Sequence, residues 1–150
     1  MLFRSVNTAL VAGAITPASP NIDSGQSITL TANPSGGTTT YSYQWYTTTG
    51  GGATCASPSI TGATSSTYLA SPTTTNSYAY KVTDSATTPN SMCSAADTVT
   101  VATALGIPTI TASNTLAEIG QYRTFTITWS GGTSPFTANF YNIKIGRAHV

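Results

Sequence analysis

Tyr43-Gln44-Trp45-Tyr46, with Tyr78-Ala79-Tyr80-Lys81-Val82-Thr83-Asp84 downstream, is the part of this chain whose reading decides its fold. Large apolar or aromatic residues fall at every second position, the period of a pleated strand with one buried face. Upstream, Ser27–Ala32 has the same period. Ile28, Leu30 and Ala32 face one way, and Ser27, Thr29 and Thr31 face the other. Asn33-Pro34-Ser35-Gly36-Gly37 ends that run with turn residues. Five strands follow from such punctuation, over 27–32, 41–46, 66–70, 77–83 and 98–101. Tyr41, Tyr43 and Trp45 share one face; Tyr68 points inward; Tyr78, Tyr80 and Val82 point inward with Lys81 outward; Val99 and Val101 point inward. Thr47–Gly52 reads as a flexible loop. No stretch keeps a helical period beyond two turns, so the expected class is all-β.

Composition narrows the function classes. Only 6% of the 150 residues are charged, against about 25% in ordinary soluble domains. Thr and Ser together make up about a third of the chain; a β-branched residue suits a strand and its hydroxyl suits the wet face. A formal net charge of +1 leaves no footprint for nucleic acid or an anionic membrane. No apolar run reaches the roughly 18 residues of a bilayer span. Hydrophobic content of 39% with low net charge is the reverse of a disordered composition.

Residues 6–46 align without a gap on 101–141, with fifteen identities in forty-one positions. They include Leu10/Leu105, Ile15/Ile110, Gly25/Gly120, Ser35-Gly36-Gly37-Thr38 with Ser130-Gly131-Gly132-Thr133, and Tyr46/Tyr141. An offset of 95 residues is too long for a solenoid unit and fits a whole small domain. The chain therefore reads as a window on a tandem array. Met1–Pro20 imitates an export signal, but Val6-x-Thr-Ala-Leu10 recurs as Val101-x-Thr-Ala-Leu105 after a strand, which marks a linker. Ile145-Gly146-Arg147-Ala148-His149-Val150 resembles the translation of a common sequencing adapter, and Lys144 fits its preceding bases. This tail is expected to lie outside the fold, and with it goes His149, the single histidine.

The runs Ile28-x-Leu30-x-Ala32, Tyr43-Gln44-Trp45-Tyr46, Ile60-x-Gly62-Ala63-Thr64-Ser65-Ser66-Thr67-Tyr68 and Tyr78-x-Tyr80-x-Val82-Thr83-Asp84 resemble the B, C, E and F strands of an immunoglobulin-like domain. They are similar to the Ig-like and polycystic-kidney-disease-like repeats of large prokaryotic surface proteins. The resemblance implies an antiparallel β-sandwich of about seven strands over 13–104, followed by a truncated second copy over 105–143. Residues 1–12 would be the remnant of a preceding repeat and its linker, and 144–150 the artefactual tail. The expected core is Ile28, Leu30, Ala32, Tyr43, Trp45, Tyr78, Tyr80, Val82, Val99 and Val101. Ala32 and Tyr80 occupy the positions where antibody-type domains bridge their sheets with two cysteines. Tyr80 could fill that volume if its hydroxyl finds a partner. Tyr78 falls where that family places its tyrosine corner. In the second copy Phe125, Ile127, Phe136 and Phe140 fall at Leu30, Ala32, Tyr41 and Trp45, while Arg123 replaces Ile28. Without a facing sheet this half is expected to fold poorly alone or to pair through open edges.

Cys55 and Cys93 are not a CxxC pair. Two readings stand: one disulfide closing 38 residues in an oxidising compartment, or two small buried hydrophobes. With no histidine outside the tail, a zinc site lacks nitrogen ligands and a serine triad lacks its base. Asp84 and Asp97 could form a carboxylate pair across a loop; the simpler reading has Asp84 capping a turn and Asp97 opening a strand. Asp23 and Glu118 could contribute to a linker calcium site, although no clustered Asp/Asn motif is present.

These readings point away from an enzyme and need no cofactor or metal. The expected role is a structural or adhesive repeat at the cell surface or outside it, a spacer whose partners are neighbouring repeats of the same chain. Its rivals are a carbohydrate- or protein-binding module contacting cell-surface glycans or proteins, and an accessory domain of a secreted hydrolase. In the first rival an exposed Tyr46 would stack on sugar between the loops Thr47–Ala53 and Thr83–Ser91.

Overall fold

A computed structural model describes residues 7–113, 122 and 124–141. The expectations placed on residues 1–6, Glu118, Arg123 and the tail 144–150 lie outside the described residues. The described chain is all-β, with no helix among the described residues. Its strands are β1 (Ile15–Thr16), β2 (Asn21–Asp23), β3 (Ile28–Ala32), β4 (Ser42–Thr49), β5 (Thr67–Ala70), β6 (Asn76–Thr83), β7 (Ser91–Cys93), β8 (Asp97–Ala102), β9 (Thr109–Ala112) and β10 (Phe125–Thr128).

Two sheets contribute to one core. The first has the order β1-β3-β5, all antiparallel. The second has the order β2-β8-β6-β4, with β7 also on β6. The pair β2–β8 is parallel. The chain changes sheets between β1 and β2 through Pro17-Ala18-Ser19-Pro20, where two residues lack the N–H that would extend a ladder. These two strands were not legible in the sequence, because each is too short to show a period.

Strands β7 and β8 run along the same edge of β6, separated by one extra residue. Cys93 lies opposite Lys81 and Asp97 opposite Tyr78, so three residues face two. Ser94 closes this bulge by donating its N–H to Tyr80 O at 2.9 Å and accepting the Tyr80 N–H on Oγ at 3.0 Å. A bulge of this kind bends its strand without leaving the partner's backbone unpaired.

The inward faces are those the alternation indicates. Leu30, Trp45, Tyr80, Val82 and Val99 are fully buried, Ala32 and Tyr78 nearly so, and Ile28, Tyr43, Tyr68 and Val101 pack half-buried against them. Aromatic rings meet in this core, within the second sheet and across to Tyr68 of the first. Tyr80 and Trp45 have centroids 5.4 Å apart, Trp45 and Tyr68 6.0 Å, and Tyr68 and Tyr78 5.8 Å. Trp45 Nε1 donates to Ser65 O at 2.9 Å. The Tyr80 hydroxyl donates to Gly13 O at 3.3 Å and accepts from Asn33 N at 3.2 Å. The Tyr41 hydroxyl reaches back to a carbonyl five residues upstream, Gly36 O, at 2.5 Å, while Tyr78 packs on Tyr68.

Two expectations need correction. Thr47–Thr49 is not a flexible loop: it continues β4 and pairs with Tyr78, Ser77 and Asn76. The reach of β6, eight residues long, draws its partner out to the same length. The boundary at residue 13 is too late. Leu10 and Ala12 are buried in the core, and Val11 pairs with Ser35. Residues 8–12 therefore belong to the first unit rather than to a preceding linker.

The backbone pattern recurs at the sequence offset of 95. Ile15 opposite Ala32 and Thr16 opposite Thr31 become Ile110 opposite Ile127 and Thr111 opposite Thr126. Gly37 N donates to Thr8 O at 2.7 Å, and Gly132 N donates to Thr103 O at 2.7 Å. Gly36 and Gly131 both sit at φ near +70°, where a Cβ would collide with the carbonyl of Ala9 or Ala104. The second hairpin, β9–β10, is formed, yet Ile110, Phe125 and Trp129 remain exposed.

Tyr80→Phe should destabilise the chain by about 1–2 kcal/mol, because it strands a donor and an acceptor at once. Trp45→Ala should cost about 3–5 kcal/mol. Urea denaturation of the two variants checks both, with Trp45→Ala the larger loss.

Candidate functional site

The outer face of the second sheet is not free, although the alternation assigns it to water. Ser77 and Ala79, which flank the inward Tyr78, are fully buried. Their cover is the segment after β4. Ala53 is itself buried and donates its N–H to Ser77 Oγ at 3.2 Å. Thr47 N donates to Pro58 O at 3.1 Å, Ile60 N to Trp45 O at 2.8 Å, and Trp45 N to Ala63 O at 3.0 Å. Gln44 Nε2 adds a bond to Ile60 O at 2.8 Å. Residues 53–63 thus occupy the free edge of β4, which otherwise would present an unpaired ladder.

Cys55 and Cys93 are joined in a disulfide, with Cα atoms 6.0 Å apart. The bridge fastens this covering segment to β7 on the far side of β6. Its position follows from parity: Cys93 lies opposite Lys81, so both residues belong to the outer face. The sequence held one sign of the cover. Ser77 and Ala79 are small where an exposed strand face would carry larger polar residues.

The surface suggested for carbohydrate is not assembled. Tyr46 is half-buried rather than exposed, bridged to Ser59 and opposite Ala79. The loops that were to flank it lie at opposite ends of β4, since Ser42 pairs with Thr83 and Thr49 with Asn76. Eight strand residues put those ends roughly 23 Å apart.

The acidic residues are also separated. Asp84 follows the C-terminal end of β6, whereas Asp97 pairs with Tyr78 near its start. That spacing is roughly 20 Å along the strand, far beyond the 5–9.5 Å of a glycosidase pair. Asp84 accepts Asn90 N at 2.7 Å and Thr38 N at 3.1 Å, and these backbone bonds, that from Asn90 first, hold its carboxyl below the ordinary value of 3.8. Asp97 begins β8 and accepts Ser19 N at 2.7 Å. Asp23 accepts the Thr133 hydroxyl at 2.7 Å. Among the described residues, no three His, Cys, Asp or Glu side chains gather. Burial raises the phenols of Tyr43, Tyr78 and Tyr80 above 10.0, which keeps the core rings neutral.

A recess lies elsewhere. A cleft of about 440 Å³ opens where Asp23 meets the second hairpin, lined by Leu105, Ile127, Trp129, Thr133 and Phe136 among others. Comparison of the chain with protein-family models, with curated proteins and with solved structures returned no match.

Reduction of the disulfide, or the paired change Cys55→Ser with Cys93→Ser, should lower unfolding stability by about 4 kcal/mol, from loop-closure entropy over 38 residues. Urea curves with and without reductant measure it. For Asp84 the folded carboxyl titrates below the unfolded one, so its stabilisation is complete above pH 3.8 and is lost as pH falls below that value. Asp84→Asn should remove this acid-dependent part, flattening the stability profile between pH 5 and pH 2 in acid titration followed by near-ultraviolet circular dichroism.

Proposed function

We propose that this chain is part of a non-catalytic extracellular repeat protein, in which immunoglobulin-like units act as spacer modules in series. The observation that carries the reading is the junction between the first unit and the second hairpin. Strand β8 ends at Ala102, whose carbonyl accepts Ser24 N at 2.9 Å. The very next carbonyl, that of Thr103, accepts Gly132 N from the second hairpin. No residue between them is left over to act as a flexible linker. The Thr133 hydroxyl on the Asp23 carboxylate adds a direct bond across the junction.

Consecutive units coupled without slack transmit orientation, which is the physical requirement of a stalk. The first sheet's order β1-β3-β5 and the second's β2-β8-β6-β4, with the initial strand divided between them, support the immunoglobulin-like form. The disulfide supports an oxidising compartment. A surface with few charges and many hydroxyls suits a spacer whose spacing must not change with ionic strength.

Small-angle scattering tests the reading. The chain should fit one fixed arrangement of its two parts, and a Gly-Ser-Gly-Ser insertion after Ala102 should broaden it measurably. An unmodified chain as broad as the insertion variant would refute the spacer. Binding to a glycan array that disappears in Tyr46→Ala would replace it with the carbohydrate-binding reading.

A further inference from the structure

We infer that the Cys55–Cys93 bridge is a polarised thiol-exchange site, independent of the spacer reading. The thiolate of a small aliphatic thiol attacks Cys55 Sγ and stays there as a mixed disulfide, and Cys93 Sγ departs as the thiolate.

Exchange at a disulfide is directional when its two sulfurs differ in how well they carry negative charge, because the sulfur that carries it better leaves faster. The two sulfurs here differ in donor, charge and attachment. Cys55 N donates to Cys93 Sγ at 3.1 Å. Charge developing on that sulfur therefore meets a backbone N–H already in place. Among the described residues no hydrogen bond is made to Cys55 Sγ.

The charge is that of Lys81. It stands directly opposite Cys93 in the β6–β7 pair, and cross-strand neighbours on one face hold their Cβ atoms about 5 Å apart. Lys81 is exposed, so its ammonium is free to swing over the sulfur, and it is the one Lys or Arg among the described residues. The carboxylates of the same unit are engaged elsewhere, Asp84 on Asn90 N and Thr38 N and Asp97 on Ser19 N. A departing thiolate beside an unopposed cation is favoured.

Attachment decides which cysteine carries the adduct with least disturbance. Cys93 belongs to β7 and is fixed by its pairing with β6. Cys55 belongs to a turn closed on itself: Ser57 N donates to Thr54 O at 3.0 Å, and Thr54 N to Ser57 Oγ at 3.0 Å. Gly50, Gly51 and Gly52 lead into that turn with open space around them. Cys55 is half-buried, and Thr54 and Ala56 on either side of it are exposed, so a small thiol reaches it from solvent. Apart from the bridge, the Ala53 N bond to Ser77 Oγ ties this end of the cover to β6. Residues 54–57 are thus free to lift with the adduct while Pro58, Ile60 and Ala63 keep their bonds to β4.

The step balances without an added oxidant. The incoming thiol gives its proton to solvent, and a lone pair of its sulfur forms the bond to Cys55 Sγ. The electron pair of the Cys55–Cys93 bond leaves on Cys93 Sγ. Return of that thiolate to Cys55 Sγ expels the small thiol and restores the bridge, so capture is reversible.

The test exposes the intact chain briefly to 2-mercaptoethanol, quenches with N-ethylmaleimide and locates both groups by mass spectrometry. Cleavage at Asp84, which lies between the two cysteines, separates them. The expected result is mercaptoethanol on Cys55 and maleimide on Cys93, favoured about tenfold over the reverse. Lys81→Gln, at an outward position, should cut that preference about threefold. Sodium chloride at ~1 M should do the same in the unaltered chain, by screening. Adduct chiefly on Cys93, or equally on both cysteines, would overturn the inference. So would a preference that neither Lys81→Gln nor salt alters, since the cation then plays no part. Absence of any mixed disulfide at exposures short of full reduction would overturn it as well.

Discussion

The first unit depends on one side chain that spans its core. Tyr80 leaves the middle of β6, packs its ring at a tilt against Trp45 and reaches the other sheet's backbone at Asn33 and Gly13. Those two residues follow β3 and precede β1, so a single hydroxyl ties the second sheet to the adjacent ends of two strands in the first. A buried phenol is tolerable only when its oxygen is paired. Here the pairing also fixes how the sheets sit. Ala32, next to Asn33 in the chain, is buried in the same cluster.

The covalent bridge that does exist acts outside this core. It holds a segment over β4 and β6, shielding Ser77 and Ala79 and closing the sheet edge along Trp45 and Thr47. The second sheet is thus covered on both sides over part of its width, by the first sheet within and by residues 53–63 without. The cost is a smaller free surface. Tyr46 is caught beneath this cover, and the loops at the ends of β4 are too far apart to act together.

The antiparallel pairs β1–β3 and β9–β10 form a natural comparison. They share sequence positions, register and the glycine-backed contacts at Thr8 and Thr103, yet one is buried and the other exposed. Local sequence is enough for the pairing of β9 with β10. The difference lies in what stands opposite: β4, β6 and β8 over β1–β3, and a cleft over β9–β10. Burial of Leu30 and exposure of its counterpart Phe125 follow from that alone.

By itself the sequence determined the strand class and the inward residues, because each is a periodic property of neighbouring positions. Leu30, Trp45, Tyr80, Val82 and Val99 were readable from alternation, and the 95-residue offset from identity. It also left the separation of Asp84 from Asp97 open, since distance across a fold is not a local property. Only the tertiary structure decided the partner of the Tyr80 hydroxyl, the short strands β1 and β2, the one-residue bulge at Ser94 and the cover over Ser77 and Ala79. Each of these depends on contacts between residues distant in the chain. A period of two says which side of a strand is apolar; it carries no information about what will lie against the other side.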